Sequence, residues 1–192
     1  MLKRLPIRTV LPLICLLPVI TRGEPVASSQ TTYYEVKGES LRELRRAMNE
    51  KRPKAPDGER HDALTLWDIK WSYGWQKVEG KFAIQAPKVT VNIAMTLPKW
   101  LYPEHPDAEM MTRWKSYLKI LVAHENDHGK FALQAAKDLE LRLMALPAQK
   151  SLEELKQLVE AIGQQILTDC RTRNVKYDVD TDHGHRQGAR FP

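Results

Sequence analysis

The chain has 192 residues, enough to bury a core in one domain, and its hydrophobic fraction of 42% excludes a disordered chain. Its formal charge is +6, from 30 Lys and Arg against 24 Asp and Glu. Four of those basic residues (Lys3, Arg4, Arg8, Arg22) and no acid fall in the first 23 positions. Without them 26 bases face 24 acids, a balance of +2, which removes the main support for nucleic-acid binding, since that requires a basic surface.

At the start of the chain, Lys3, Arg4 and Arg8 precede an apolar run over 10–20, and small or polar residues follow. That order predicts a secretory signal peptide over 1–23. The run contains Pro12 and Pro18 and is far shorter than the about 20 apolar residues that span a bilayer. Cys15 lacks the small residues expected before a lipidated cysteine, so no membrane anchor is expected after cleavage. Residues 24–192 then form one exported domain, periplasmic or secreted. Cys170 is its single cysteine, so no disulfide framework holds it.

Within that domain, residues 24–32 read as a loose terminus and 32–37 as a short strand. Ser40 and Glu43 form a capping box, and Leu41, Leu44 and Met48 give a helical stripe that ends before Pro53. Residues 53–58 are turn-rich. Trp67, Ile69, Trp71, Tyr73 and Trp75 then alternate with polar residues, Glu79-Gly80 marks a hairpin turn, and Val89, Val91, Ile93, Met95 and Leu97 alternate again. This pattern predicts an antiparallel sheet with one buried face, the tryptophans forming core. Residues 98–106 read as a connector. Asp107 caps a long helix that Pro147 stops, and Ser151 and Glu154 open another that runs to about Cys170. Residues 171–192 show no helical apolar pattern. The fold class is α+β.

Inside the long helix lies L-V-A-H-E-N-D-H-G-K-F-A. His124 and His128, four residues apart, share one helix face and can reach one metal ion. Glu125 is rotated roughly 100° from His124, placed to act as a general base on water without binding the ion. This H-E-x-x-H spacing predicts a catalytic Zn²⁺ site. Such a site takes three protein ligands and keeps one position open. The third is a tail histidine, His183 or His185, or a glutamate of the following helix, Glu153, Glu154 or Glu160. His61 and His105 read as surface residues.

The segments Y-Y-E-V-K-G-E-S-L-R-E-L-R-R-A-M-N, L-T-L-W-D-I-K-W-S-Y, A-H-E-N-D-H-G-K-F and Y-D-V-D-T-D-H-G occur in this order. Together they resemble a bacterial domain-of-unknown-function family described as predicted secreted zinc-dependent proteases, from about Tyr33 to Gly188. The resemblance implies a zincin-like metallopeptidase fold and favours His183 as the third ligand. The expected activity is hydrolysis of peptide or protein substrates by an activated water. Tyr177, close to His183 in sequence, is the expected oxyanion donor. Asp180 or Asp182 would orient a ligand imidazole, and the polar edge of the 89–97 strand would pair with an extended substrate. Two rival readings remain: a cell-wall amidase and a non-catalytic module in which zinc ties the tail to the helix.

Overall fold

Three side-chain caps fix where the helices begin. In the computed structural model, which describes residues 24–56 and 58–191, Ser40 Oγ accepts from the Glu43 amide and Glu43 reaches back to the Glu39 amide. Helix α1 (Leu41–Lys51) starts there and buries Leu44 and Met48. Asp107 accepts from the Met110 amide to open α2 (Ala108–Met144), and Ser151 accepts from the Glu154 amide to open α3 (Leu152–Thr181). Each cap satisfies an amide that the first helical turn leaves without an intrahelical partner. The signal-peptide reading of 1–23 lies outside the described residues. No helix among the described residues is long and apolar enough to cross a membrane.

Strands β1 (Val26–Val36), β2 (Leu64–Val78) and β3 (Lys81–Trp100) form one sheet in the order β1-β3-β2. β2 and β3 are antiparallel and meet at Glu79-Gly80, whose φ angles of 50° and 78° are both left-handed, as a two-residue hairpin requires. β1 runs parallel to β3, so the sheet is mixed and not antiparallel as expected. α1 and the loop after it give the chain the length that a parallel neighbour needs. Residues 26–32, expected to be loose, belong to β1. Its side chains are mostly exposed, with Val36 buried at its end. Backbone pairing holds this strand, and hydropathy carries no trace of it.

β3 also outruns expectation, continuing through Pro98 to Trp100. Pairing with β2 covers Thr96 but not Pro98, so the proline has a neighbour only on the β1 side. Its missing N–H therefore disrupts no ladder on the other side. Trp67 and Trp71 pack on the core as predicted, whereas Trp75 is 46% exposed. A register shift between Ser72 and Gly74 breaks the alternation before it.

α2 lies across the sheet, and α3 folds back along α2. Two hydrophobic clusters result. The first joins Leu44, Met48, Leu97, Trp100, Trp114, Tyr117 and Phe191; the second joins Ile69, Val89, Val91, Leu139, Leu143, Leu155 and Val159. On α2 the buried members of the first end at Leu121 and those of the second begin at Ala132. Between them sit His124, Glu125 and His128, all buried.

α3 does not stop near Cys170 but continues to Thr181. In this stretch Val175 and Val179 face solvent, while Asn174, Tyr177 and Asp178 are partly buried. The inward stripe is polar, which hides the helix from an apolar-pattern search. The tail beyond it is equally anchored: Phe191 packs 5.3 Å from Trp114 and 5.1 Å from Tyr117, and Arg45 donates to its carbonyl.

Gly163 marks the closest approach of α3 to the sheet. A Cβ there would stand 2.2 Å from Trp71 Cζ2. Glycine to alanine inside a helix ordinarily stabilises by about 1 kcal/mol. Here Gly163→Ala is expected to destabilise by about 1–3 kcal/mol through overpacking, read from the midpoint of urea unfolding; an unchanged or raised midpoint would contradict this packing.

Candidate metal centre

His124 and His128 stand one turn apart on α2 with their Nε2 atoms 3.2 Å apart. Asp178, from α3, places Oδ1 3.1 Å from each of them. The other ring nitrogens face amides. His124 Nδ1 lies 3.0 Å from Gln187 Oε1, and His128 Nδ1 lies 2.6 Å from Asn174 Oδ1. Hydrogen bonds elsewhere orient both amides: Asn174 Nδ2 donates to the Cys170 carbonyl, and Gln187 Nε2 donates to the Tyr177 hydroxyl. That hydroxyl in turn donates to Asp127. The amide oxygens therefore face the imidazoles, each Nδ1 carries a proton, and each Nε2 points at Asp178 Oδ1, where it shares a proton or binds a cation.

Three acceptors thus converge on one point in a mostly buried setting. Such a trio is repulsive unless a proton or a metal cation lies between its members. Ligands about 2.0–2.1 Å from a tetrahedral ion lie roughly 3.3 Å from one another, close to the separations seen. His124, His128 and Asp178 could hold a metal ion.

Electrostatics point the same way. Burial opposes ionisation of Asp178, but hydrogen bonds with His124 and His128 and the nearby charges of His128 and His183 hold its carboxyl well below the usual range. Burial pushes the His128 imidazole down, and the hydrogen bond and charge of Asp178, with Asn174 and Glu125, outweigh it and raise it. Positive charge is favoured at this point. Burial pushes Glu125 up, against the Thr65 hydrogen bond and the two imidazoles. Thr65 Oγ1 donates to Glu125 Oε2 at 2.7 Å. All four residues border a cavity of about 550 Å³ whose walls include Thr65, Trp67, Arg52 and His183.

The structure brings together His124, Glu125 and His128 with Asp178, and the expected third member lies at the rim of that group, beside Asp178. His183 is half exposed on the cavity wall, its Nδ1 3.6 Å from Asp178 Oδ1 and its ring 4.7 Å from that of His61. Three consecutive left-handed residues, Asp182, His183 and Gly184, turn the chain there. Asp178, still within the helix, takes the inner position. His185 pairs with Asp182. Glu153, Glu154 and Glu160 bond within the early turns of α3, roughly 27 Å or more along the helix from Asp178 at 1.5 Å per residue.

Tyr177 does not supply an oxyanion donor in this geometry. Its hydroxyl proton is used by Asp127, its ring stacks on His124 at 4.8 Å, and it is absent from the residues lining the cavity. Asp180 pairs with Lys176 and Asp182 with His185, so the groups that meet the ligand imidazoles are Asn174 and Gln187. β3 is the central strand and offers no free edge; β2 does. Sequence reasoning missed Asp178, Asn174, Gln187 and Thr65. Ile166, Cys170, Asn174 and Asp178 fall at i, i+4, i+8 and i+12, and extending the last helix on that spacing would have placed the first two of the missed residues on its inner face.

This is an α+β protein with a two-histidine, one-carboxylate cluster beside a buried glutamate. The chain belongs to the bacterial protein family of unknown function DUF922, whose family model matches residues 31–184. That span holds His124, Glu125, His128 and Asp178. No curated protein and no solved structure matches the chain.

Titration of the metal-free protein with zinc should separate the two candidate third ligands. Asp178→Ala is expected to weaken binding by more than the ~100-fold that loss of an outer hydrogen-bonding partner can cost, and His183→Ala to leave it nearly unchanged; the reverse order would restore His183 to the ligand set. Under Asn174, burial pushes the Cys170 thiol up to about 11, against the Asn174 hydrogen bond. The shift is upward, so its stabilisation is present below the ordinary thiol value and is lost as pH rises towards 11. Iodoacetamide at pH 8.5 should label Cys170 slowly in the native protein and quickly in urea.

Proposed function

We propose that the protein is an exported zinc-dependent peptidase with a zincin-like arrangement, in which His124, His128 and Asp178 hold the metal and Glu125 is the general base. The observation that carries this reading is the position of Glu125. It is buried next to three converging acceptors, it lines a cavity, and its pKa is raised. Two nitrogens and one carboxylate oxygen suit zinc. When bound, zinc polarises a scissile carbonyl and lowers the pKa of water.

The rest of the reaction falls to the chain's own groups. Thr65 holds one oxygen of Glu125 by its hydroxyl, leaving the other to take the proton of the attacking water and return it to the leaving amine. A carboxyl whose pKa is raised towards the working pH does both jobs well. Asn174 and Gln187 hold the imidazoles in the tautomer that faces the metal. Leu64, Thr65 and Trp67 of β2 line the same cavity, and β2 is an outer strand, so an extended peptide finds an unpaired edge beside Glu125. A metal that merely tied α3 to α2 would need no such cavity. The residue pattern of 1–23 supports export.

Replacing Glu125 by Gln keeps an acceptor for Thr65 and removes the base. Zinc content should stay at the wild-type level while hydrolysis of unfolded peptides falls by about 10²–10⁴-fold. Full activity in that variant would remove Glu125 from the mechanism.

A further inference from the structure

Resting on that reading, we propose that the preferred substrate carries a carboxylate, and that Arg52 in the cavity wall binds it. Arg52 ends α1, where its amide bonds the Met48 carbonyl. Its side chain is 34% exposed and lines the cavity shared with Glu125 and Asp178. The carboxylate of Asp62 stands 3.9 Å from Nη1, beyond hydrogen-bond reach. That carboxylate takes its short bonds from other residues: Arg45 grips it through both terminal nitrogens at 2.9–3.0 Å, and the Tyr117 hydroxyl donates at 2.8 Å. Arg52 Nε is buried and has no hydrogen-bond partner among the described residues.

A guanidinium has five donors, and leaving one buried and unmatched is unfavourable. An oxygen acceptor that enters the cavity meets the exposed part of the side chain and engages the terminal nitrogens of the fork. Arg60 stands beside it on the same wall and donates Nη1 to the Arg52 carbonyl, adding a second positive charge. Asp62, the nearest acid, takes its short bonds from Arg45 and Tyr117 and stays at 3.9 Å from Arg52. The planar fork selects a planar anion, so a carboxylate fits better than an isolated negative point charge. Two sources offer this chemistry, acidic side chains of proteins and the carboxylate-bearing short peptides of a bacterial cell wall.

The test uses the zinc-loaded Glu125→Gln protein, which should bind peptides without cutting them, with fluorescence anisotropy as readout. Matched peptides differ only by Glu against Gln, and a third arm uses short peptides released from purified cell wall. Glu peptides should bind about tenfold more tightly than their Gln twins, the worth of one charge-assisted hydrogen bond. Adding Arg52→Gln should erase that difference, and Arg52→Glu should turn the preference to Lys peptides, with unfolding midpoints unchanged. Tighter binding of the cell-wall peptides than of the Glu peptides supports the carboxylate site and assigns its source. Equal affinity for Glu and Gln peptides overturns the proposal and leaves the peptidase reading standing. A Glu preference that survives Arg52→Gln also overturns it. If no peptide of any charge binds, both fall.

Discussion

One carboxylate oxygen of Asp178 sits 3.1 Å from two imidazole nitrogens that themselves lie 3.2 Å apart, and this convergence constrains everything around it. Three electron-rich atoms so close together repel one another in a low-dielectric setting unless a proton or a cation lies between them. The fold keeps them there through geometry imposed from several directions. α2 supplies both histidines by helical spacing alone. α3 must run its full 30 residues to carry Asp178 back to them. The tail must then turn through three left-handed residues so that Gln187 reaches His124. The strain of Asp182 and His183, neither of them glycine, is stored at this point.

The two hydrophobic clusters explain how such a polar group survives inside the domain. Each packs one end of α2 against the sheet, and the seam between them coincides with the turn that carries His124 and His128. Rigid packing on both sides holds the imidazoles where a flexible surface helix would let them part. The polar atoms at the seam are satisfied in series: Asn174 by Cys170, Gln187 by Tyr177, Tyr177 by Asp127, and Glu125 by Thr65. Tyr177 thus serves the site by holding another residue.

A second polar joint, Arg45–Asp62–Tyr117, ties α1, the loop before β2 and α2 together. Burial and Asp62 both push the Tyr117 hydroxyl up, so it stays protonated and donates at all ordinary pH. The same joint receives the tail, because Arg45 also bonds the Phe191 carbonyl. The cavity wall that carries Arg45, Asp62 and Arg52 is therefore as firmly built as the His124, His128 and Asp178 cluster that borders the same cavity.

Much of this was legible in the residues. Helical spacing puts His124, Glu125 and His128 on neighbouring faces whatever surrounds them, Ser40, Asp107 and Ser151 announce their helices by local chemistry, and Glu79-Gly80 fixes a hairpin. These are properties of short segments. The parallel pairing of β1 was not legible, because an edge strand of small polar residues is held by backbone bonds that leave no hydropathy signal. Nor was the third member of the cluster. Asp178 lies 50 residues from His128, on a helix whose inward face is polar, and the family resemblance favoured His183. Only the packing of α3 on α2 brings Asp178 to the two imidazoles, since a side chain's reach depends on the face it occupies and not on its chemistry.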